Sequence, residues 1–324
     1  MRFLIAGLGS IGRRHLRNLV ACGERDVLLL RSGKSTLPDG ELDGFPAVDD
    51  IRTALERRPD AVIVCNPTAL HLDVAIPAAE AGCHILLEKP VSHSMERVDV
   101  LQRAVRLGGS RLLVGFQFRY HPTLQKVKSM VHAGELGDVS SVRAHWGEYL
   151  PDWHPWEDYR ASYAARRDLG GGALLTLSHP FDYLCWIFGD VAEARGVVGH
   201  GLDLKVEAAA EVSLRFTSEV LAGVHLDYLQ RPPDHHLEVV GEEGRLRWNG
   251  WTGGLEVCRS PEWVWQHQPA PDGFERNDMF VQEIKHFRAV ASGDESPACT
   301  LEDGIRVQRI IEAVRDSALR RERT

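Results

Sequence analysis

The chain opens on an apolar run, Phe3–Ala6, and then keeps one rhythm to about residue 120. Short β-rich apolar runs lie at Phe3–Ala6, Val27–Leu30, Ala61–Cys65, His84–Leu87 and Leu112–Gly115. Between them, apolar positions recur at helical spacing over Gly12–Ala21, Ile51–Arg57, Leu70–Ala81 and Met95–Leu107. Strands alternating with helices predict a parallel, doubly wound α/β sheet. Pro59-Asp60 and Gly82 mark strand entries and helix exits.

After residue 120 the rhythm changes. A helix over Thr123–Ala133 leads into a long strand, Val139–Glu148, and then a loop rich in aromatic and polar residues from Tyr149 to Arg167. A Gly-rich entry, Gly170–Gly172, opens what reads as one apolar helix ending near Phe188. Strand-like alternation follows at Glu193–Gly199, Ala208–Phe216, Val220–Leu229, His236–Gly241, Arg245–Trp248 and Leu255–Cys258. Short turns such as Glu242-Glu243-Gly244 predict an antiparallel sheet. Helices over Met279–Ser292 and Leu301–Leu319 close the chain. The reading is two domains, residues 1–120 and residues 121–324. The first is a doubly wound parallel sheet; the second is α+β with a large, mostly antiparallel sheet.

Composition narrows the function classes. A chain of 324 residues with 44% hydrophobic content exceeds what one core fills. The net charge is −8 with the two signs interspersed, so no basic stripe invites nucleic acid. Charges interrupt every long apolar stretch, so no membrane span is expected. The first residues mimic a short signal peptide, but Gly7, Gly9 and Gly12 and then Arg13-Arg14-His15 favour a strand and turn. The six cysteines are scattered, with no C-x-x-C pair, as in a cytoplasmic protein with reduced thiols.

The first candidate site is Gly7-x-Gly9-x-x-Gly12 between the first strand and first helix. Gly7 permits a tight turn, Gly9 a close backbone approach to a pyrophosphate, and Gly12 close helix–strand packing. Ser10, Ile11 and Gly12 then present the helix N-terminus to the phosphates of a dinucleotide in a Rossmann-type domain. An NAD site carries an acid after the second strand; here that end reads Arg31-Ser32-Gly33-Lys34. Arg31, Ser32 and Lys34 suit a 2′-phosphate, so NADP(H) is favoured over NAD(H). Solvated loop charges are the alternative. Asn66-Pro67 at the end of the third strand and His71 after it line the expected crevice, with His71 reading as a capping or packing residue.

Glu88-Lys89-Pro90 follows the fourth strand of this series, where open α/β sheets bind ligands. A partly desolvated Lys89 beside a cationic nicotinamide is suited to moving a hydroxyl proton. Glu88 either holds Lys89 or bonds a ribose, and Pro90 fixes the turn, with a cis bond as one form of it. Alone, the tripeptide also reads as a surface ion pair before a helix. In Gly170–Tyr183, His179 and Asp182 are three apart on one helix face, with Thr176 a turn earlier. On spacing alone His179 reads as a core histidine.

Taken together, the glycine motif, Glu88-Lys89-Pro90, the Gly170–Gly172 run with His179 and Asp182, and Phe280–Gly293 followed by Leu301-Glu302-Asp303-Gly304 resemble the glucose–fructose oxidoreductase / inositol dehydrogenase (Gfo/Idh/MocA) family over essentially the whole chain. The resemblance implies Lys89 and His179 as catalytic acid–base groups, and an open sheet face in the second domain that makes homodimers or homotetramers. Two positions depart from it. An Asp often stands four residues before the histidine, where this chain has Leu175. In Gly115-Phe116-Gln117-Phe118-Arg119-Tyr120-His121-Pro122, Gln117 stands where an Asn is common, while Arg119 fits a cofactor–substrate cleft.

The loop Trp146–Arg160 sets aromatic faces beside charges. Trp156, Tyr159 and Arg160, with Arg119, Thr176, Lys89 and His179, form the expected site for a polyol or sugar. Packing or a subunit contact would use the same rings. Arg160, Arg166 and Arg167 add a carboxylated or phosphorylated sugar as an option. His235-His236 lacks metal-ligand spacing, so no metal is expected. The resulting expectation is an NAD(P)-dependent oxidoreductase acting on a sugar or cyclitol hydroxyl or ketone. A non-catalytic cofactor-binding regulator and a glycosidase or lyase with recycled NAD stay open as alternatives.

Overall fold

The computed structural model describes residues 1–33 and 37–321. The chain divides into two compact units. Met1–Gln117 and Arg276–Ile305 form the first; Phe118–Glu275 and the chain from Arg306 form the second.

In the first unit the strands are β1 (Phe3–Ala6), β2 (Val27–Leu30), β3 (Ala47–Val48), β4 (Ala61–Val64), β5 (His84–Glu88) and β6 (Leu112–Gly115). Among the described residues they make one six-stranded parallel sheet in the order β3-β2-β1-β4-β5-β6. Phe3 pairs with both Val27 and Ala61, which centres β1. All of β1, β4 and β6 is buried, as strands covered on both faces must be. The helices are α1 (Ser10–Ala21), α2 (Ile51–Glu56), α3 (His71–Glu80) and α4 (Val98–Gly108). Asp50 caps α2 by accepting from the Thr53 amide at 2.9 Å. Reversal of strand order on the two sides of β1 brings the β1 and β4 ends together at the switch point where such sheets bind ligands.

The second unit begins after β6 with α5 (Pro122–His132), where Pro122 occupies the first turn and the His121 ring accepts from the Leu124 amide. Its strands are β7 (Val139–Tyr149), β8 (Val191–Gly199), β9 (Ala209–Phe216), β10 (Leu221–Asp227), β11 (Leu229–Gly241), β12 (Gly244–Asn249), β13 (Leu255–Arg259) and β14 (Gln266–Gln268). Their order is β14-β13-β12-β11-β7-β10-β9-β8, with β7 and β10 parallel and the other pairs antiparallel. Along β7, Val142, Ala144 and Trp146 are buried, while Arg143 and His145 lie on the other face and are more open. The buried face packs against α6 (Ala173–Thr176) and α7 (His179–Phe188). Trp248, Tyr183, Tyr228, Phe181 and Phe216 form its fully buried centre.

The last helices are α8 (Arg276–Ser292), which rejoins the first unit, and α9 (Leu301–Arg321). Among the described residues, no helix is long and apolar enough to cross a membrane. The six cysteines are free thiols.

One expected element is corrected. Gly170–Phe188 is not a single helix, because α6 ends at Thr176 and α7 starts at His179. Pro180 has no amide proton and would clash with the carbonyl four residues earlier, so the helix stops and restarts with proline in its first turn. The short strands β3 and β14 carry too few residues for a periodic pattern.

Candidate active site

In the first unit the chain turns from β1 into α1 through Gly7, Leu8 and Gly9. Gly7 has φ +91°, and a Cβ there would lie 2.5 Å from the Asn66 backbone nitrogen. A Cβ on Gly12 would lie 1.9 Å from the Gly7 oxygen. Both glycines are therefore demanded by packing. Gly9 is different, since its Cβ would meet nothing within 4 Å. It adjoins the start of α1, which has no side-chain cap and no acidic residue in its first turn. The positive end of α1 thus borders open space beside Gly9, an arrangement that fits a pyrophosphate. Arg13 secures this loop from beneath. Its buried guanidinium donates to Leu8 O at 3.0 Å, Pro38 O at 2.6 Å and Leu37 O at 3.2 Å.

After β2, Arg31 pairs with Asp39 at 2.6 Å, and that contact holds the Asp39 carboxyl below its usual range. Ser32 is exposed, and Lys34 lies outside the described residues. At the end of β4, the Asn66 amide donates to Leu70 O at 2.8 Å, and Pro67 leads into a short turn. The buried His71 ring lies 3.0 Å from Asn66 O and 2.9 Å from Pro90 O. It therefore links the ends of β4 and β5, and burial pushes its pKa down despite these contacts.

Glu88 ends β5 with its carboxylate directed inward. Its Oε1 lies 2.8 Å from His15 Nε2, and its Oε2 accepts from the Lys89 amide at 3.3 Å. Gly115 lies opposite in β6, where a Cβ would come within 3.3 Å of the Glu88 carboxyl carbon. Lys89 follows half-buried, and its bond to Pro90 is cis. Behind Glu88 lies Glu283 of α8, fully buried. His15, Glu88 and Glu283 each bring a donor atom within 4.8 Å of the others. Burial first, and the Glu88 charge second, push the Glu283 carboxyl well above its ordinary range. His15 and Glu283 escaped the sequence reading. The available signal was a polar residue on the buried stripe of each helix.

In the second unit, Arg119 and Asp182 form a buried two-pronged ion pair. Arg119 Nε lies 3.2 and 3.1 Å from the two carboxylate oxygens, and its Nη2 lies 2.7 Å from Oδ1. Asp182 thereby orients Arg119. His179 is buried, edge-on to Phe118 at 5.0 Å and stacked near Trp146 at 5.2 Å. Thr176 is buried, and the buried Tyr228 hydroxyl donates to Ala164 O at 3.5 Å. Leu175 is buried in the apolar core. The glycine run has a packing cause: a Cβ on Gly171 would come within 2.4 Å of Ala164 O, and one on Gly172 within 2.3 Å of Glu207 Oε1. Glu207 in turn accepts from the Leu174 amide at 3.3 Å, at the start of α6.

The aromatic loop consists largely of single turns. Trp156 is 60% exposed, so it has surface to offer a ligand or partner. The Tyr159 hydroxyl donates to Leu202 O at 3.2 Å. Arg160 pairs with Asp158 at 3.0 Å and Arg166 with Asp168 at 2.5 Å, and the Arg167 guanidinium donates to Lys205 O. Gln117 is buried in the turn after β6.

Comparison with known proteins then decides the family. Residues 1–116 match the oxidoreductase family with an NAD-binding Rossmann fold, and residues 124–247 match the GFO/IDH/MocA C-terminal domain. The chain belongs to the Gfo/Idh/MocA family. It is 28% identical to a myo-inositol 2-dehydrogenase of Thermotoga maritima over 94% of this chain and 92% of that protein. It is 26% identical to a D-xylose 1-dehydrogenase (NADP(+)) of Haloferax volcanii over 98% of this chain and 97% of that one. The fold matches levoglucosan dehydrogenase in complex with NADH and levoglucosan, with a TM-score of 0.88 at 20% identity, covering 99% of this chain and 97% of that one. As a Gfo/Idh/MocA protein the chain is an NAD(P)-binding oxidoreductase whose relatives include sugar and inositol dehydrogenases.

Proposed function

We propose that this chain is a dehydrogenase or reductase that transfers a hydride between NAD(P) and a hydroxyl-bearing or ketone carbon of a sugar or cyclitol. The observation that carries this is Lys89. It stands half-buried at the carboxyl end of β5, in the same sheet as the open glycine turn after β1. A bound nicotinamide would supply or accept the hydride, and Gly9 and the uncapped start of α1 would hold its pyrophosphate. Glu88, fixed by His15, positions the Lys89 backbone, and Lys89 Nζ takes or returns the proton of the reacting hydroxyl. His179 is the second proton-handling group, and Arg119, Thr176, Trp156, Tyr159 and Arg160 are the substrate contacts in this reading. Arg31 and Ser32 favour NADP(H). Asp39 opposes that preference, because Arg31 must give up this partner to meet a 2′-phosphate.

Thermal-shift titration with NAD(H) and NADP(H) tests the cofactor assignment by mass action on the native state. Stabilisation by NADP(H) at lower concentration supports it, and stabilisation by NAD(H) alone removes the NADP preference. Product formation from a glycoside without net change in nicotinamide absorbance would replace the hydride-transfer reading with a recycled-cofactor mechanism.

A further inference from the structure

Across the more open face of the eight-stranded sheet runs a row of side chains that the proposed reaction does not use. Glu211 on β9, His225 on β10, His145 on β7 and His236 on β11 stand in register on four neighbouring strands. The His145 ring stacks on His225 at 4.6 Å and on His236 at 5.1 Å. Gly147 lies two residues beyond His145, opposite Asp227. A Cβ on Gly147 would lie 2.5 Å from Asp227 Oδ2 and 2.2 Å from Gln230 Oε1, so the glycine leaves the space that both oxygens occupy.

Donor atoms of three residues lie close together there, with the Gln230 oxygen beside one of them. His145 Nε2 lies 2.7 Å from Gln230 Oε1, and His225 Nε2 lies 2.8 Å from Asp227 Oδ2. Donor atoms of His145, His225 and Asp227 all fall within 4.8 Å of one another. Two imidazoles and a carboxylate suit zinc-like ions, which such groups bind at about 2.0–2.2 Å. The outer shell is also present. Glu211 Oε1 lies 2.6 Å from His225 Nδ1, so a proton on Nδ1 leaves Nε2 free to ligate. Asp227 is largely buried while both histidines are half-buried, which gives a preset donor with a route from solvent.

We propose that His145, His225 and Asp227, with Gln230 as a fourth oxygen donor, bind one divalent transition-metal ion of the zinc class on this sheet face. The ion would tie β7, β10 and β11 together and take no part in hydride transfer. The competing occupant is a proton on His225 between Glu211 and Asp227, and in that case no metal binds.

The test uses full-length, chelator-treated protein titrated with Zn²⁺ by calorimetry and with Co²⁺ by visible absorbance, with the melting temperature followed in parallel. The expected result is one ion per chain, cobalt bands of a low-coordinate site with nitrogen ligands, and a higher melting temperature. His145→Ala and His225→Ala should abolish the cobalt bands. Glu211→Gln, which spares every ligand, should weaken affinity about 10–100-fold. Absence of saturable binding, or equal binding by the His145→Ala/His225→Ala double variant, overturns the proposal. Because no cofactor or substrate is present, the outcome is independent of the hydride-transfer reading.

Discussion

Replacing Glu283 with glutamine is predicted to stabilise the protein at neutral pH. Glu283 is fully buried, and neither carboxylate oxygen has a hydrogen-bond partner. Burial and the neighbouring Glu88 charge raise its pKa in the folded state. The folded chain therefore keeps a proton that the unfolded chain releases above about pH 4.3. Above that pH the native state binds more protons than the unfolded state, so stability falls as pH rises. The stability associated with this group is complete below the unfolded pKa and is lost as pH climbs to the folded pKa, by at most about 1.4 kcal/mol per pH unit. Glutamine has nearly the same shape and does not titrate. Glu283→Gln should match the wild type near about pH 4.5 and exceed it by roughly 1–3 kcal/mol at pH 7. Urea unfolding at a series of pH values, with the slope m checked for constancy, reads the difference directly. Parallel pH profiles for the two proteins, or a variant less stable at neutral pH, would refute the reasoning. Either would mean that Glu283 is held charged by a compensating partner.

Two further outcomes follow from the same geometry. Asp182→Ala leaves the buried Arg119 guanidinium without the carboxylate that grips it, and should cost about 3–5 kcal/mol in unfolding measurements. The Arg119→Met/Asp182→Leu double variant should recover most of that loss, and a cost under about 1 kcal/mol for the single change would contradict the burial argument. Gly9→Ala introduces a methyl group into open space, so its melting temperature should equal that of the wild type while its stabilisation by NADP(H) falls. Undiminished stabilisation would remove Gly9 from the cofactor site.

Five of the six strands of the first sheet were legible because each carries an apolar run bounded by turn residues, and because Gly7 and Gly12 are packing requirements that leave a fixed spacing in the sequence. The break at Leu177-Ser178 was hidden by apolar residues all round α6 and α7, although Pro180 carried the signal. His15, Glu88 and Glu283 were not legible as a cluster, since only the fold brings α1, β5 and α8 together. The same holds for the row through His145, His225 and His236. Its donors come from different strands, so local ligand spacing gave no hint of them. Pairing also altered the reading of several charges, because Arg31, Arg160 and Arg166 each have a carboxylate partner that a linear pattern does not assign.

In the proposed reaction Lys89 moves a proton while a hydride passes between NAD(P) and a carbohydrate-like carbon. Its most direct test is nicotinamide absorbance across sugars, sugar acids and cyclitols, with wild type and Lys89→Ala side by side. The wild type should turn over at least one such compound with the cofactor. In the variant kcat should fall about 10²–10⁴-fold, with stabilisation by the cofactor retained. Turnover in Lys89→Ala close to that of the wild type would contradict it.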